Sequence, residues 1–226
     1  MPRTVGLIHA VIPAMPPLQA TFAAQLPQVR LLNLLDEALL KEAERLGGIS
    51  PALVRRMTGL VSLHEAAGAE LALFTCNAYS PYVDQVRAQS SIPVLPIDDA
   101  MLETALATGR RLGVLATVAA GLEQQRQSID RAAAAAGKQV EVEAVLRPDA
   151  FAALGASDAA THDRILLGEL EQLAPKVDVI LLAQASMAGL AERVPATMPV
   201  PVLSSPQLAV GKVKEMLKLC SWPTPA

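Results

Sequence analysis

Short runs of Val, Leu and Ile recur along the chain, each separated from the next by a longer stretch rich in Ala and Leu. This alternation constrains the fold more than any other feature. Strands are expected at Val5–Val11, Val29–Leu34, Leu71–Thr75, Val94–Ile97, Leu112–Thr117, Val140–Val145, Val177–Leu182 and Val200–Leu203. Several of these runs are apolar throughout instead of alternating, the pattern of parallel strands covered on both faces. The stretches between them carry helix signals. Ser50-Pro51 is an N-cap followed by Pro at the first helical position, and Gly68 closes that helix. Asp98 opens a second helix that stops near Gly109, and Asp158 opens a third that stops before Pro175. The expected class is α/β with mostly parallel sheet.

The chain also repeats itself. Val5-Gly6-Leu7-Ile8-His9-Ala10-Val11 is similar to Leu112-Gly113-Val114-Leu115-Ala116-Thr117-Val118 at an offset of 107 residues. Glu70-Leu71-Ala72-Leu73-Phe74-Thr75-Cys76-Asn77 is similar to Asp178-Val179-Ile180-Leu181-Leu182-Ala183-Gln184-Ala185 at an offset of 108, and Ile92-Pro93-Val94 to Met198-Pro199-Val200 at 106. Three matches in order at nearly one offset read as two similar α/β halves, residues 1–96 plus 205–226 and residues 97–204. The last helix, about Ser205–Leu219, is expected to pack back on the first half. No Gly/Ser/Pro linker separates the halves, so close packing is expected.

Composition narrows the function classes. With 52% hydrophobic and 18% charged residues over 226 positions, the chain has the makings of a packed core and is not disordered. A net charge of −3 gives no electrostatic footprint for nucleic acid, and three Phe, two Tyr and one Trp leave little for base stacking. Two cysteines do not make a disulfide scaffold. No stretch of about 18 apolar residues exists to span a membrane. Met1-Pro2-Arg3 leads straight into a strand-like run without the features of a signal peptide. The expectation is a cytoplasmic protein with neither nucleic-acid nor membrane partners.

Ligands of open α/β sheets bind beyond the carboxyl ends of strands. The positions of interest are therefore His9–Pro13, Cys76–Ser80, Asp98, Thr117–Val118, Gln184–Ser186 and Ser204–Ser205. Thr75-Cys76-Asn77-Ala78-Tyr79-Ser80-Pro81 is the most informative stretch. A thiol between a strand and a helix meets the unpaired N–H groups and the positive end of the helix dipole, which favour thiolate. The same N–H groups can hold a substrate carboxylate. A thiolate beside an anion cradle suits proton abstraction from a carbon next to a carboxylate. The other reading is a buried apolar cysteine, since free Cys is among the most buried residue types.

Phe74-Thr75-Cys76-Asn77, the duplicated halves and the chain length resemble the aspartate/glutamate/hydantoin racemase superfamily. Leu34-Leu35-Asp36-Glu37-Ala38-Leu39-Leu40, Ile97-Asp98-Asp99-Ala100-Met101, Leu115-Ala116-Thr117 and Leu203-Ser204-Ser205-Pro206 are similar to one branch of it. The resemblance implies two pseudo-symmetric Rossmann-like, flavodoxin-like halves, with the active site in the cleft between them. It implies no cofactor, no metal and a small carboxylate-bearing substrate. With the high apolar fraction it points to a homodimer. Racemases of this superfamily place one cysteine on each side of the substrate carbon. Cys76 fits the first position, and the 108-residue offset places Gln184 at the second. An amide does not shuttle a proton as a thiol does. Three options stay open. Cys76 alone serves a stereospecific proton transfer, as the decarboxylases of the superfamily use a single cysteine. Cys76 attacks an unsaturated diacid, as in a cis-trans isomerase. Or a further residue, Ser186 or His9, is the second acid/base. Asn77, Ala78, Thr117, Gln184, Ala185 and Ser186 are the expected carboxylate or enolate contacts. A chain that binds a small diacid without turnover is the non-enzymatic alternative.

Other constellations are read as structural. His64 falls in a helix pattern and is expected at the surface. His162-Asp163 is expected in a capped, exposed segment. The three histidines lie far apart and form no HExxH, so a metal site has little support. Ser186 lacks the flanking glycines of GxSxG and has no later Asp and His. No GxxxxGK[ST] or GxGxxG follows a strand. Arg55-Arg56 and Arg110-Arg111 are expected to be solvated. Asp36 either reaches the site or caps a helix, Asp98 is expected to cap the helix it starts, and Cys220 is expected to be structural.

Overall fold

The computed structural model describes residues 2–219, the side chains of Ser186 and Leu219 excepted. The chain divides into two compact units, residues 1–99 with residues 209 onward, and residues 100–208. Each unit is built on a four-stranded, all-parallel sheet.

In the first unit β1 (Thr4–His9), α1 (Met15–Gln25), β2 (Arg30–Leu35), α2 (Glu37–Leu46), α3 (Pro51–Ala66), β3 (Leu71–Phe74), α4 (Val83–Arg87) and β4 (Val94–Pro96) follow in order. The sheet order is β2-β1-β3-β4. Both β1 and β3 are buried at every position, while the residues of the edge strand β2 are exposed or half-buried. This is why the central strands read as unbroken apolar runs. Ile8, Ala72, Phe74 and Val94 meet Leu39, Val54, Met57 and Val61 of α2 and α3 in one core. Ser50 caps α3 as the sequence implies, accepting from the Leu53 N–H. Asp36 resolves as a cap too: it accepts from the Leu39 N–H at the start of α2.

The second unit repeats the plan with α5 (Asp99–Thr108), β5 (Arg111–Ala116), α6 (Ala119–Ala135), β6 (Glu141–Leu146), α7 (Pro148–Gly155), α8 (Ala159–Leu173), β7 (Val179–Leu182), α9 (Ala188–Ala191) and β8 (Val202–Ser204). Its order, β6-β5-β7-β8, is the first unit's order again. The register repeats as well. Val5 pairs with Leu71 and Leu112 with Val179, while Ala72 pairs with Val94 and Ile180 with Val202. Leu112, Val114, Val179 and Leu181 fill one core, and Leu115, Ile180 and Leu182 fill the other, as period-two alternation requires. The chain then closes with α10 (Ser205–Leu219), whose residues from Ala209 belong to the first unit.

Two histidine expectations are corrected here, and two of the exposed arginines turn out to have partners. His64 is buried, not at the surface. It packs on β1 and donates through Nε2 to the Leu7 carbonyl at 3.2 Å. His162 is likewise buried, with Nδ1 2.9 Å from Asp163 Oδ1. Arg56 is not simply solvated, because it grips Asp36 with two hydrogen bonds of 2.7 Å. Arg111 similarly holds Asp178 at 2.7 and 3.0 Å. Cys220 lies outside the described residues. Among these residues no helix is long and apolar enough to cross a membrane, and no group of three or more His, Cys, Asp or Glu could hold a metal.

His64 explains the glycine in β1. A Cβ on Gly6 would lie 2.4 Å from His64 Cγ. At the equivalent Gly113 the nearest atom is the flexible end of Leu173, at 2.8 Å. Gly6→Ala is therefore expected to cost at least about 2 kcal/mol, a Tm fall of roughly 4–8 °C, by overpacking. Gly113→Ala is expected to cost less. Thermal melts of the two variants check the ranking.

Candidate active site

In each unit the chain leaves its first strand to build one neighbour and later crosses to build the other. The sheet order thus reverses between β1 and β3, and between β5 and β7. Such switch points are where α/β sheets open a ligand crevice.

At the first switch point Cys76 stands two residues beyond β3. Its backbone is extended (φ −125°, ψ 124°), and Asn77 opens a two-turn 3-10 helix over Asn77–Tyr82. Cys76, Asn77, Ala78 and Ser80 are half-buried. The Ala78 N–H donates to the sulfur. The thiolate expected from a helix dipole is not the resting state. Burial pushes the thiol up to about 11, the carboxylates of Asp98 and Glu44 add to the rise, and the Ala78 N–H offsets only part of it. A short 3-10 helix lacks the aligned dipoles of the α-helix that the sequence implied.

His9 ends β1 and is fully buried. Burial holds its pKa below 6.5, the Asn33 hydrogen bond opposing and His64 adding to the fall, so the ring is neutral near pH 7. Nε2–H donates to Asn33 Oδ1 at 3.0 Å. The lone pair on Nδ1 faces the Thr75 hydroxyl at 2.9 Å; the Ile8 carbonyl, at 3.2 Å, is that hydroxyl's other acceptor. Both ring nitrogens of His9 thus have protein partners. Its place is behind Thr75, the residue before the cysteine. Neither Asn33 nor this link was singled out from the sequence. One polar residue inside Arg30-Leu31-Leu32-Asn33-Leu34-Leu35 was the available signal.

Two further residues complete this end of the sheet. Asp98 is buried and accepts from the Ser80 hydroxyl, directly before α5. Tyr79, which sequence reasoning passed over, is fully buried and packs edge-on against Phe74 with centroids 5.7 Å apart. Its hydroxyl has no hydrogen-bond partner among the described residues. Burial, then the neighbouring Cys76 and Asp36, raise its pKa, so it stays a proton donor.

The second switch point carries Gln184, two residues beyond β7. Its backbone (φ −129°, ψ 138°) matches that of Cys76, and a 3-10 turn over Ala185–Met187 follows. Gln184 and Ala185 are half-buried. The side chain of Ser186 lies outside the described residues, although its backbone is part of the turn. Gln184 Oε1 accepts from the Thr117 N–H at 2.8 Å and from the Thr117 hydroxyl at 3.1 Å. A backbone N–H only donates, so the atom facing it is the amide oxygen, and Nε2 points elsewhere. Both donors of Thr117 hold Gln184. A cavity lined by Leu106, Arg110, Gly137, Lys138 and Gln139 sits at the opposite, amino end of this sheet and contains none of these residues.

The repeat, the switch-point cysteine and the doubly wound sheets call for comparison with known proteins. A profile of the Asp/Glu/Hydantoin racemase family matches residues 18–213. The chain belongs to this family. Family membership supports a racemase-type enzyme, an isomerase. Solved structures share the fold. An aspartate racemase homologue from Pyrococcus horikoshii aligns with 96% of this chain and 100% of its own, at 16% identity and a TM-score of 0.73. Allantoin racemase from Klebsiella pneumoniae aligns with 96% of this chain and 88% of its own, at 16% identity and a TM-score of 0.73. A glutamate racemase from Bacillus anthracis aligns with 97% of this chain and 83% of its own, at 16% identity and a TM-score of 0.68. No curated protein sequence matches the chain. At these identities the structural likeness speaks to the racemase-family fold alone.

Proposed function

We propose that this racemase-family chain is a cofactor-independent enzyme that moves a proton at a carbon next to a carboxyl group, in the manner of amino-acid or hydantoin racemases. Cys76 is the base. The observation that carries the reading is the pairing of Cys76 with Gln184. The two residues hold one backbone position in the two repeats, each two residues past a central strand and each opening a 3-10 turn. One repeat supplies a thiol there and the other an amide.

In this reading the Cys76 sulfur, once ionised, takes the α-proton. The Ala78 N–H steadies the negative sulfur. The N–H of Asn77 holds the carboxylate and the enolate charge that develops, and the N–H groups of Ala185 and Ser186 are the counterparts in the second repeat. His9 and Thr75 act indirectly, by fixing the approach to Cys76. Gln184 holds the equivalent position in the second repeat, where the family resemblance implies a second thiol, and its amide does not return a proton. The protein is read as acting in the cytoplasm, with a homodimer as its assembly.

One-sided chemistry gives a measurable signature. For one enantiomer of a substrate, loss of the α-proton to deuterium oxide, read by NMR, is expected to outpace loss of optical activity, while the other enantiomer, whose α-proton lies on the face away from the thiol, is expected to exchange far more slowly. Equal rates from both enantiomers would show a second proton carrier and overturn the role given to Gln184. No exchange on aspartate, glutamate, hydantoins, maleate or substituted malonates would overturn the reading as a whole. The second reading, a single-cysteine decarboxylase or diacid cis-trans isomerase, draws on the absence of that second thiol. In the decarboxylase the thiol donates its proton, which suits a group whose resting form is protonated, whereas in the isomerase the sulfur attacks the unsaturated diacid.

A further inference from the structure

The segments joining each strand to the following α-helix carry almost no charge. Across all eight, the charged residues are Asp36, Asp98 and Arg147. Arg147 is held by Asp149 and Glu169. The charges bearing on the Cys76 sulfur are the carboxylates of Asp98 and Glu44. Arg56, the cation bearing on the adjoining Tyr79, is gripped through Nε and Nη2 by both oxygens of Asp36. A substrate carboxylate can use backbone N–H groups here. Among the described residues, the strand-to-helix segments of the first unit offer a second carboxylate on the same substrate two acids, Asp36 and Asp98, and no cation.

The same edge of the first unit's sheet is openly apolar. Val11, Ile12 and Leu35 are 39%, 58% and 40% exposed. The 3-10 turn Ile12–Ala14 after β1 buries none of its residues. Sequence makes the loop apolar throughout: Ala10-Val11-Ile12-Pro13-Ala14-Met15-Pro16-Pro17, with no charged side chain between His9 and Arg30. His9 pairs with Leu35 on one side, and Ile8 with Phe74 on the other. With strands about 4.8 Å apart, Leu35 and the end of β3 lie roughly 10 Å from each other, with the β1 loop between them. Exposed side chains of this kind at a ligand-binding edge await an apolar group.

We propose that Val11, Ile12 and Leu35 determine specificity for the reaction assigned to Cys76. They receive an alkyl or aryl substituent of the carbon acid, and the site discriminates against substrates whose substituent ends in a second carboxylate, aspartate and glutamate included. The inference rests on the reading of Cys76 as the reacting group, and its test is chosen to be independent of turnover.

Two ligands that differ only in the substituent decide it: 5-isobutylhydantoin and hydantoin-5-acetic acid. Each is titrated against alkylation of Cys76 by iodoacetamide at pH 9, with the modified peptide counted by mass spectrometry. The isobutyl compound is expected to half-protect Cys76 at a concentration at least tenfold lower than the acetic-acid compound. Ile12→Ser is expected to raise that concentration at least fivefold without moving Tm, because the side chain is mostly exposed. Equal or better protection by the acetic-acid compound, no protection by either, or an unchanged response in Ile12→Ser overturns the proposal. Protection by the isobutyl compound without proton exchange supports the specificity surface and overturns the proton-transfer reading instead.

Discussion

Replacing Cys76 with alanine is expected to lower the rate of α-proton exchange by about 10²- to 10⁴-fold, the range that a positioned acid/base group contributes. The fold is expected to survive. Cys76 is half-buried at the rim of the first core, and the neighbouring Phe74 and Tyr79 supply the buried volume there. Cys76→Ser keeps the size and a hydrogen bond from the Ala78 N–H, yet a hydroxyl is a far weaker acid than a thiol and is not expected to restore exchange. Circular dichroism and thermal melts on both variants separate a lost base from a lost fold. Exchange rates in Cys76→Ala within threefold of the parent would show that another group takes the proton. His9→Gln gives a useful contrast. If His9 acts only by holding Thr75, this change is expected to lower kcat by a smaller factor and leave the pH profile in place.

Much of the architecture was legible because its physics is local. A parallel strand covered on both faces has to be apolar at successive positions, so all eight strands stood out within two residues at nearly every end. Ser50 and Asp158 announced their helices because a side-chain oxygen that accepts from an N–H three residues on is a short-range device. The duplication was legible for the same reason, since two sheets with equal register impose similar runs at a fixed spacing. The site was legible in position and much less so in chemistry. A strand-end cysteine marks a place, but its ionisation depends on burial first, and then on the Ala78 N–H and on Asp98 and Glu44, brought in from elsewhere in the chain. Likewise no local pattern says that His9 is sealed between Asn33 and Thr75, or that Gln184 takes both donors of Thr117. His64 looked like a surface residue because helical periodicity does not reveal that Gly6 leaves a hollow for its ring.

The state of the sulfur leads to the remaining large effect. With the thiol pushed up to about 11, its thiolate fraction falls tenfold for each pH unit below that value. A base must be deprotonated to act, and kcat/KM reports the free enzyme. The expected profile is therefore a tenfold rise per unit from pH 7 to 10, about a thousandfold in all, flattening near 11. Iodoacetamide alkylation of Cys76 is expected to follow the same curve with no substrate present. The native protein also holds this proton more tightly than the unfolded chain. Its contribution to stability is thus complete below the ordinary thiol value of 9.0 and declines as pH rises toward about 11, so rates are best taken as initial rates after a pH jump. A single-cysteine decarboxylase inverts the sign. There the thiol form is the working one, and activity stays level up to about pH 10 and falls beyond it. A plateau reached by pH 8 in both activity and alkylation would mean that the thiol ionises below its ordinary value of 9.0, and that burial and the acids around it do not set the chemistry of this site.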